Sequence, residues 1–282
     1  MITNNFNLPD PIYRAIANRQ KPDVKPADIY TTALIDSPQI RVLKKKYRDQ
    51  ITEDASDMIW LLLGQCTHEI LEKACVSGLF EEVLTADYPP YTVGAIIDHY
   101  EDGVHSDYKI TSAWSLVFDR GDYEKQLNVA SDILIRNGHP VEKHQNILIL
   151  RDWNKNEAAK NNGYPQSQVV VKEQKLWTPE QRELYIRGRL EKHFGSGPDR
   201  QYECNDEDRW YTGTKYAVKH KDQKNAKKTG TKEECEQWIK DYIKNDKNKL
   251  YIEERPGENK RCERYCQVAE FCPQFKRAKD AA

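Results

Sequence analysis

Hydrophobic residues recur at helical spacing most clearly between residues 54 and 76. Each apolar position of this stretch has another three or four residues away, and these positions are Ile59, Leu62, Leu63, Cys66, Ile70 and Ala74. Such spacing predicts a helix with a stripe of side chains facing the core. His68 lies on a neighbouring face, one turn after Gly64, which leaves room for another group to approach closely. A core or boundary histidine is the alternative interpretation of His68.

Two short extended runs follow, and they predict a β-hairpin. The first run carries Asp98, a turn follows at residues 101–103, and the second run carries Asp107 and Lys109. Residues two apart in a strand point to the same face, so Asp107 and Lys109 share a face that Asp98 can reach if the runs pair. Two carboxylates and a lysine placed in this way suit a divalent cation and the activation of water. An ordinary hairpin with solvated charges is the alternative.

The elements after the hairpin predict a sheet covered by helices. Residues 123–135 have a helical pattern, and residues 147–153 and 168–176 have the pattern of strands. The order strand, strand, helix, strand, strand indicates an α/β fold with a central mixed sheet flanked by helices. Thr178 followed by Pro179 is typical of a helix start, and this helix should run to about residue 193.

Composition and charge limit the fold and the function of the chain only in part. The chain has 282 residues, enough for one large domain or two small ones. Charged residues make up 32% of it, and the formal net charge of -1 says nothing against nucleic-acid binding. The longest apolar run, residues 58–63, is too short to span a membrane, and the N-terminus lacks the features of a signal peptide. We therefore expect a cytoplasmic protein without a membrane partner.

The polarity rises after residue 195. We interpret residues 1–282 as a single domain with a polar, lysine-rich insertion at 199–260 and a cysteine-containing C-terminal segment at 261–282. Seven lysines between residues 215 and 232 stand against a single acid, Asp222. Basic residues beside aromatic ones can contact nucleic acid. The candidate DNA-binding residues are Lys215, Lys219, Lys221, Lys224, Lys227 and Lys228, and a solvated hairpin is the alternative.

Three of the seven cysteines lie close together near the C-terminus, and they are Cys262, Cys266 and Cys272. In an intracellular chain, such spacing is more typical of metal ligands than of disulfides. These cysteines are therefore candidate ligands of an iron–sulfur cluster or of zinc, and separate buried thiols are the alternative. A four-cysteine site would take its fourth ligand from Cys66, Cys75, Cys204 or Cys235.

Several of these residues form an ordered set along the chain, which is Gly64-x-x-x-His68, then Asp98, then Asp107-x-Lys109, then Gln126. This ordered set resembles the PD-(D/E)XK nuclease superfamily, specifically its RecB-like and phage-exonuclease branch. The spacing also agrees, with thirty residues from the histidine to the first aspartate and nine more to the second. The resemblance covers roughly residues 30–175 and implies a restriction-endonuclease-like core.

The resemblance also implies roles for individual residues. His68, Asp98 and Asp107 would be metal ligands, together with the backbone carbonyl of Ile110. The cofactor would be Mg²⁺ or Mn²⁺, and a histidine ligand leans toward Mn²⁺. Lys109 would orient or help deprotonate the attacking water.

In the same family, a glutamine at the position of Gln126 contacts the substrate or supports the site. The implied function is that of a metal-dependent deoxyribonuclease, an exonuclease acting on DNA in phage or bacterial recombination and repair. Its partners would be DNA and either further copies of the chain or a recombination protein. A nucleic-acid-binding module with a nuclease-derived fold and no turnover is the alternative function, and a structural metal protein is a third.

Two positions depart from the family pattern. The family often has a tyrosine four residues after the glutamine, and this chain has Ala130 there. Members with an iron–sulfur cluster commonly have Cys-Pro upstream of the histidine helix, and this chain has Ser37-Pro38. The C-terminal spacing is C-x3-C-x5-C, where the family more commonly has C-x2-C-x5-C.

Overall fold

The computed structural model describes residues 1–19, 26–116, 121–195, 202–243 and 245–280. These divide into two compact units, Met1–Tyr202 and Glu203–Ala282. The sequence interpretation took residues 1–282 as one domain, whereas here the lysine-rich stretch and the C-terminal cysteines group together in the second unit. The change of composition at residues 195–198 falls largely outside the described residues.

The first unit combines helices and strands in alternation. Its helices are α1 (Asp10–Ala17), α2 (Thr31–Ile35), α3 (Pro38–Lys46), α4 (Ile59–Ala74), α5 (Asp122–Arg136), α6 (Lys155–Lys160) and α7 (Pro179–Phe194). Its strands are β1 (Ile2–Thr3), β2 (Ile29–Tyr30), β3 (Glu53–Asp54), β4 (Leu79–Tyr88), β5 (Tyr91–Glu101), β6 (Val104–Thr111), β7 (Lys143–Leu150) and β8 (Val169–Glu173). Thr178 caps α7 through a capping box, as its sequence predicts.

A six-stranded sheet forms the centre of this unit. Its strand order is β2-β5-β6-β7-β8, and β4 also pairs with β5. The β2–β5 and β6–β7 pairs are parallel, and the other pairs are antiparallel. Helix α5 packs on this sheet and against α2 and α7, while α4 packs against β4 and β6. The predicted α/β fold with a mixed sheet flanked by helices is therefore confirmed.

The predicted hairpin is present as β5 and β6. Its two-residue turn, Asp102-Gly103, has φ angles of 47° and 79°. Two successive left-handed residues form the turn whose twist matches paired strands, and glycine adopts that geometry without a steric penalty. The hairpin fixes the register, with His99 opposite Ser106.

The stripe of α4 that was predicted to face the core does so only in part, at Ile59 and Leu62, which pack against a small buried cluster. The helix forms over Ile59–Ala74, but none of its residues is buried. Leu63 and Ile70 keep 44% and 66% of their surface exposed. The apolar run 60–63 extends around most of a helical turn, so one neighbouring sheet face cannot cover all of it.

The second unit contains a small antiparallel sheet. Its elements are α8 (Asp206–Arg209), β9 (Lys215–His220), β10 (Lys228–Gly230), α9 (Lys232–Asp241), β11 (Leu250–Arg255), α10 (Lys260–Arg264) and α11 (Pro273–Asp280). The strand order is β10-β9-β11, and α9 packs on all three strands. Across the described part of both units, no helix has the length and apolar character needed to cross a bilayer.

Candidate metal centre

A pocket of about 480 Å³ opens between α4, α5 and the strands β4, β5 and β6. Five acidic or basic groups line it, and they are His68, Glu81, Asp98, His105 and Asp107. Gln126 and Ala130 of α5 and Leu61 of α4 complete part of the wall. Ala130, the position where the family pattern would have a tyrosine, contributes a small side chain to this wall.

Asp98 is held at the point where the β5–β6 ladder ends. The last pair before it is His99 with Ser106, and the Asp98 carboxylate Oδ2 then accepts the backbone N–H of Tyr108 at 2.8 Å. The side chain thus replaces a strand carbonyl as the acceptor for β6. This hydrogen bond points the carboxylate toward the face of β6 that carries Asp107.

Glu81 is a site residue that sequence reasoning missed. It lies on β4 between Phe80, which pairs with His99, and Glu82, which pairs with Ile97, so it stands across from Asp98. Its φ of 47° is left-handed, a conformation that costs free energy in a residue with a side chain. Strain of this kind is common where a side chain is aimed at a functional site.

His68, Glu81 and Asp98 each offer one ligand atom, and these three atoms all lie within 4.8 Å of one another. Because a carboxylate accepts, His68 Nδ1 donates to Glu81 Oε1 at 2.6 Å, and in the neutral ring Nε2 is then the nitrogen with a free lone pair. Nε2 lies 3.9 Å from Asp98 Oδ2. A histidine that donates one N–H to a carboxylate and presents its other nitrogen is the usual arrangement of a metal-binding imidazole. This donor set therefore fits a divalent cation.

Asp107 lies in the same pocket and is fixed by three donors. Its Oδ1 accepts from Lys109 Nζ at 2.7 Å and from Gln126 Nε2 at 3.0 Å, and its Oδ2 accepts from Asn146 Nδ2 at 2.9 Å. Gln174 Nε2 donates in turn to the side-chain oxygen Oδ1 of Asn146 at 2.9 Å. The predicted shared face of Asp107 and Lys109 is present. Asp107 does not belong to the group formed by His68, Glu81 and Asp98, but its side chain lines the same pocket.

The electrostatics of the pocket follow from this crowding. Burial, and then the negative charge of Asp107, raises the pKa of Asp98 to about 7. The hydrogen bond to Glu81 raises the pKa of His68, against the effect of burial. Burial alone would lower the pKa of Lys109, but the charges of Asp107 and Asp98 outweigh it and raise that pKa. The pocket therefore concentrates negative charge that favours cations.

Other predicted site residues lie elsewhere. Ile110 follows Lys109 on β6 and pairs with Ile149 of β7, and it is not among the described residues that line the pocket. The candidate DNA-binding lysines, Lys215, Lys219, Lys221, Lys224, Lys227 and Lys228, all belong to the second unit. Lys219 Nζ forms an ion pair with Glu253 Oε2 at 3.0 Å. Cys262, Cys266 and Cys272 are also in the second unit.

Comparison with known proteins adds little to this geometry. No family model matches the chain, and no curated protein matches it. A solved structure described as "Crystal structure of SSO0001" is 14% identical, with a TM-score of 0.44, and the match covers 64% of this chain and 82% of that one. A likeness at that level supports no conclusion about this chain.

Proposed function

We propose that the chain is a metal-dependent DNA nuclease that hydrolyses phosphodiester bonds, an exonuclease of phage or bacterial DNA recombination or repair. One observation carries the proposal. Four residues of the nuclease resemblance come from one helix and two strands, and they line or adjoin a single pocket. They follow one another along the chain as that resemblance implies, and they are His68, Asp98, Asp107 and Lys109.

The residues that would hold Mg²⁺ or Mn²⁺ are His68, Glu81 and Asp98, with Asp107 at the edge of the same space. When bound, such an ion polarises a phosphoryl oxygen and lowers the pKa of a water molecule. An imidazole and carboxylates are ligands that Mn²⁺ accepts readily, and carboxylates are ligands that suit both ions.

Lys109 supplies positive charge beside the position of the scissile phosphate. Asp107 fixes its ammonium group at 2.7 Å, and Gln126 and Asn146 fix Asp107 in turn. Phosphodiester hydrolysis builds negative charge on the phosphate oxygens, and a cation that is already oriented stabilises that charge without reorganisation. The same lysine can hydrogen-bond the attacking water.

The wall formed by α4 suits the bases of a DNA strand. Leu61 lines the pocket, and Trp60 beside it is 54% exposed. The guanidinium of Arg151 lies 3.9 Å from the centre of the Trp60 ring. Exposed aromatic rings with a neighbouring cation are a common surface for stacking unpaired bases while the backbone is held electrostatically.

The test is Lys109→Ala, assayed for cleavage and for binding of labelled DNA in the presence of Mn²⁺. We expect cleavage to disappear while binding remains, because the lysine acts on the reacting phosphate. Lys155→Ala, an exposed lysine on α6, is the matched control and should cleave normally. A Lys109→Ala protein that cuts at the wild-type rate would remove this assignment. A wild-type protein that binds DNA and leaves it intact would favour the binding module.

A further inference from the structure

Strand β8 lies at one edge of the six-stranded sheet, and it carries apolar side chains on an open surface. Among the described residues, β7 is the strand that pairs with it. Val169 and Val171 of β8 keep 47% and 58% of their surface exposed. We propose that a second copy of this chain binds here by pairing its own β8 along the edge in the antiparallel direction. This interface is separate from the metal pocket and does not depend on the proposed function.

The hydrogen bonds to β7 show which backbone groups of β8 face outward. The Gln174 N–H donates to the His144 carbonyl at 3.2 Å, and the Leu150 N–H donates to the Gln168 carbonyl at 2.8 Å. In an antiparallel ladder, alternate residues of a strand bond to the same neighbour. The even-numbered residues of β8 therefore bond to β7, and the odd-numbered residues from 169 to 173 point their N–H and C=O groups away from it.

Strand β8 lacks the features that usually protect a sheet edge. Natural edge strands are commonly protected by proline, by a β-bulge or by charged side chains along the strand. The sequence of β8, Val169-Val-Val-Lys-Glu173, begins with three β-branched residues, contains no proline and pairs with β7 without a break in register. Its two charged residues stand together at one end, and Glu173 forms an ion pair with Lys143 Nζ at 3.0 Å. Such an edge can accept another strand.

The positions of the charges make a second copy of β8 a suitable partner. When a strand pairs with its own copy about a two-fold axis, one residue lies opposite itself. With Val171 at the axis, all five residues of β8 pair. Val169 then lies opposite Glu173 of the second copy, and Val170 lies opposite Lys172 of the second copy. Within β8, no two like charges face each other in this register.

Other registers of the same pairing are less favourable. An axis at Lys172 or at Glu173 would place two like charges directly opposite each other, which destabilises a strand pair. An axis at Val169 or at Val170 would leave part of each five-residue strand without a partner from the other β8. The charges and the length of the strand therefore select Val171 as the centre.

The pairing also covers the outward backbone and part of an apolar surface. Each odd-numbered residue of β8 would form a hydrogen-bonded pair with the second copy, and each such pair exchanges both of its bonds. Val171 would contact its own copy on the sheet face where Ile147 and Ile149 of β7, in register with Val171 and Val169, are half-buried. Because only one short strand from each copy takes part, we expect a reversible dimer of the weak class.

The first experiment measures the oligomeric state of the full-length protein by sedimentation velocity over a series of concentrations, in EDTA and without DNA. Wild type should change from monomer to dimer as the concentration rises. Val171→Lys places two ammonium groups opposite each other at the axis and should stay monomeric. The control Leu184→Lys changes an exposed apolar residue of α7 and should dimerise as wild type does.

Two results of this experiment would overturn the proposal. One is wild-type protein that stays monomeric up to about 1 mM, which would leave the edge to a strand of a different protein. The other is Val171→Lys protein that dimerises as well as wild type, because the interface would then lie elsewhere on the chain.

A charge placed at residue 169 tests the register. Val169→Lys sets an ammonium group opposite Glu173 of the second copy and should tighten the dimer about two- to thirty-fold through two such pairs, whereas Val169→Glu should weaken it. Within one chain, residues 169 and 173 are about 13 Å apart along the strand, so neither change creates an ion pair inside the monomer. Equal dimer affinity in the two variants would exclude this register.

A cross-link tests the same contact without adding a charge to β8. Opposed residues of a hydrogen-bonded pair have Cα atoms about 5.5 Å apart, a distance that a disulfide can span. Mild oxidation of Val171→Cys should join two copies through residue 171, as mapped by mass spectrometry. Leu184→Cys is the matched control and should give no link through residue 184. Absence of a link between two residues 171 would contradict the pairing.

Discussion

Helices α4 and α5 both line the candidate metal centre, but they are held in the fold in different ways. Helix α4 has no buried residue, whereas residues 127–134 of α5 are all buried. Helix α4 is nevertheless the more apolar of the two in sequence. A hydrophobic pattern therefore reports how much apolar surface a helix offers, and not how much of that surface the rest of the chain covers.

The polar residues of α5 can be buried because they find hydrogen-bond partners. Asp132 accepts hydrogen bonds from Tyr88 at 2.6 Å, from Arg136 at 2.8 Å and from Arg182 at 2.9 Å. Ser131 lies within hydrogen-bond distance of two buried histidines of the sheet. Polar groups that find partners can be buried without a large penalty. In α4, Ile59 and Leu62 pack against a small core cluster, and the remaining large apolar residues, Trp60, Leu61, Leu63 and Ile70, stay exposed.

The largest effect on stability should come from breaking the buried ion pair between Asp132 of α5 and Arg182 of α7. Asp132→Ala leaves Arg182, which is 5% exposed, without its carboxylate partner. We expect a loss of about 3–5 kcal/mol in the free energy of unfolding, measured with urea. Asp57→Ala, at an exposed position just before α4, should change it by less than about 0.5 kcal/mol. Equal losses in the two variants would contradict the comparison.

A matched pair of isoleucines tests the comparison with one chemical change. Ile133 of α5 is fully buried, and Ile70 of α4 is 66% exposed. Ile133→Ala should cost about 2–5 kcal/mol through lost burial and a cavity, and Ile70→Ala less than about 0.5 kcal/mol. Urea unfolding of both variants measures this directly. If Ile70→Ala proves as destabilising as Ile133→Ala, α4 is covered in solution by something else.

The β5–β6 hairpin and helix α4 show what the sequence could predict and what it could not. The β5–β6 hairpin could be found because a strand alternates with a period of two and the Asp102-Gly103 turn has its own signature. The burial of α4 could not be found, because it depends on which strands lie beside the helix. Local pattern therefore predicted the elements and not their surroundings.

Some residues of the candidate site could be predicted from the sequence and others could not. The face shared by Asp107 and Lys109 follows from local spacing alone. Glu81 was missed because β4 was not recognised as a strand, although Tyr88-Pro-Pro-Tyr91 is a hairpin signal before β5, and no sequence signal marks a left-handed glutamate. Asn146 reaches Asp107 only because β6 and β7 pair in parallel, with those two residues in register.

The exposed surface of α4 should matter more for DNA than for stability. Trp60→Ala should weaken binding of single-stranded DNA by about 1–3 kcal/mol, the usual contribution of one stacked base. Leu184→Ala, a 77% exposed position on α7, is the control and should bind normally. Fluorescence anisotropy with a labelled oligonucleotide in EDTA measures affinity without cleavage. Unchanged affinity in Trp60→Ala would remove this wall from the substrate path.

The histidines beside α5 should make stability depend on pH. Burial lowers the pKa of His144, so the folded protein resists a proton that the unfolded chain binds below about pH 6.5. This stability is complete above that pH and is lost as the pH falls, by about 1.4 kcal/mol per pH unit for one proton. His144→Gln should remove that part of the slope just below pH 6.5. Parallel profiles for variant and wild type would contradict it.

We propose that the pocket lined by α4 and α5 hydrolyses DNA with the help of a metal ion. The most direct measurement is a time course with end-labelled linear DNA and with circular DNA, in Mg²⁺, in Mn²⁺ and in EDTA. We predict that the linear DNA is shortened from its ends with either metal, that circular DNA remains intact, and that EDTA stops the reaction. Cleavage of the circles would replace the exonuclease with an endonuclease. Intact linear DNA in both metals would contradict the claim itself.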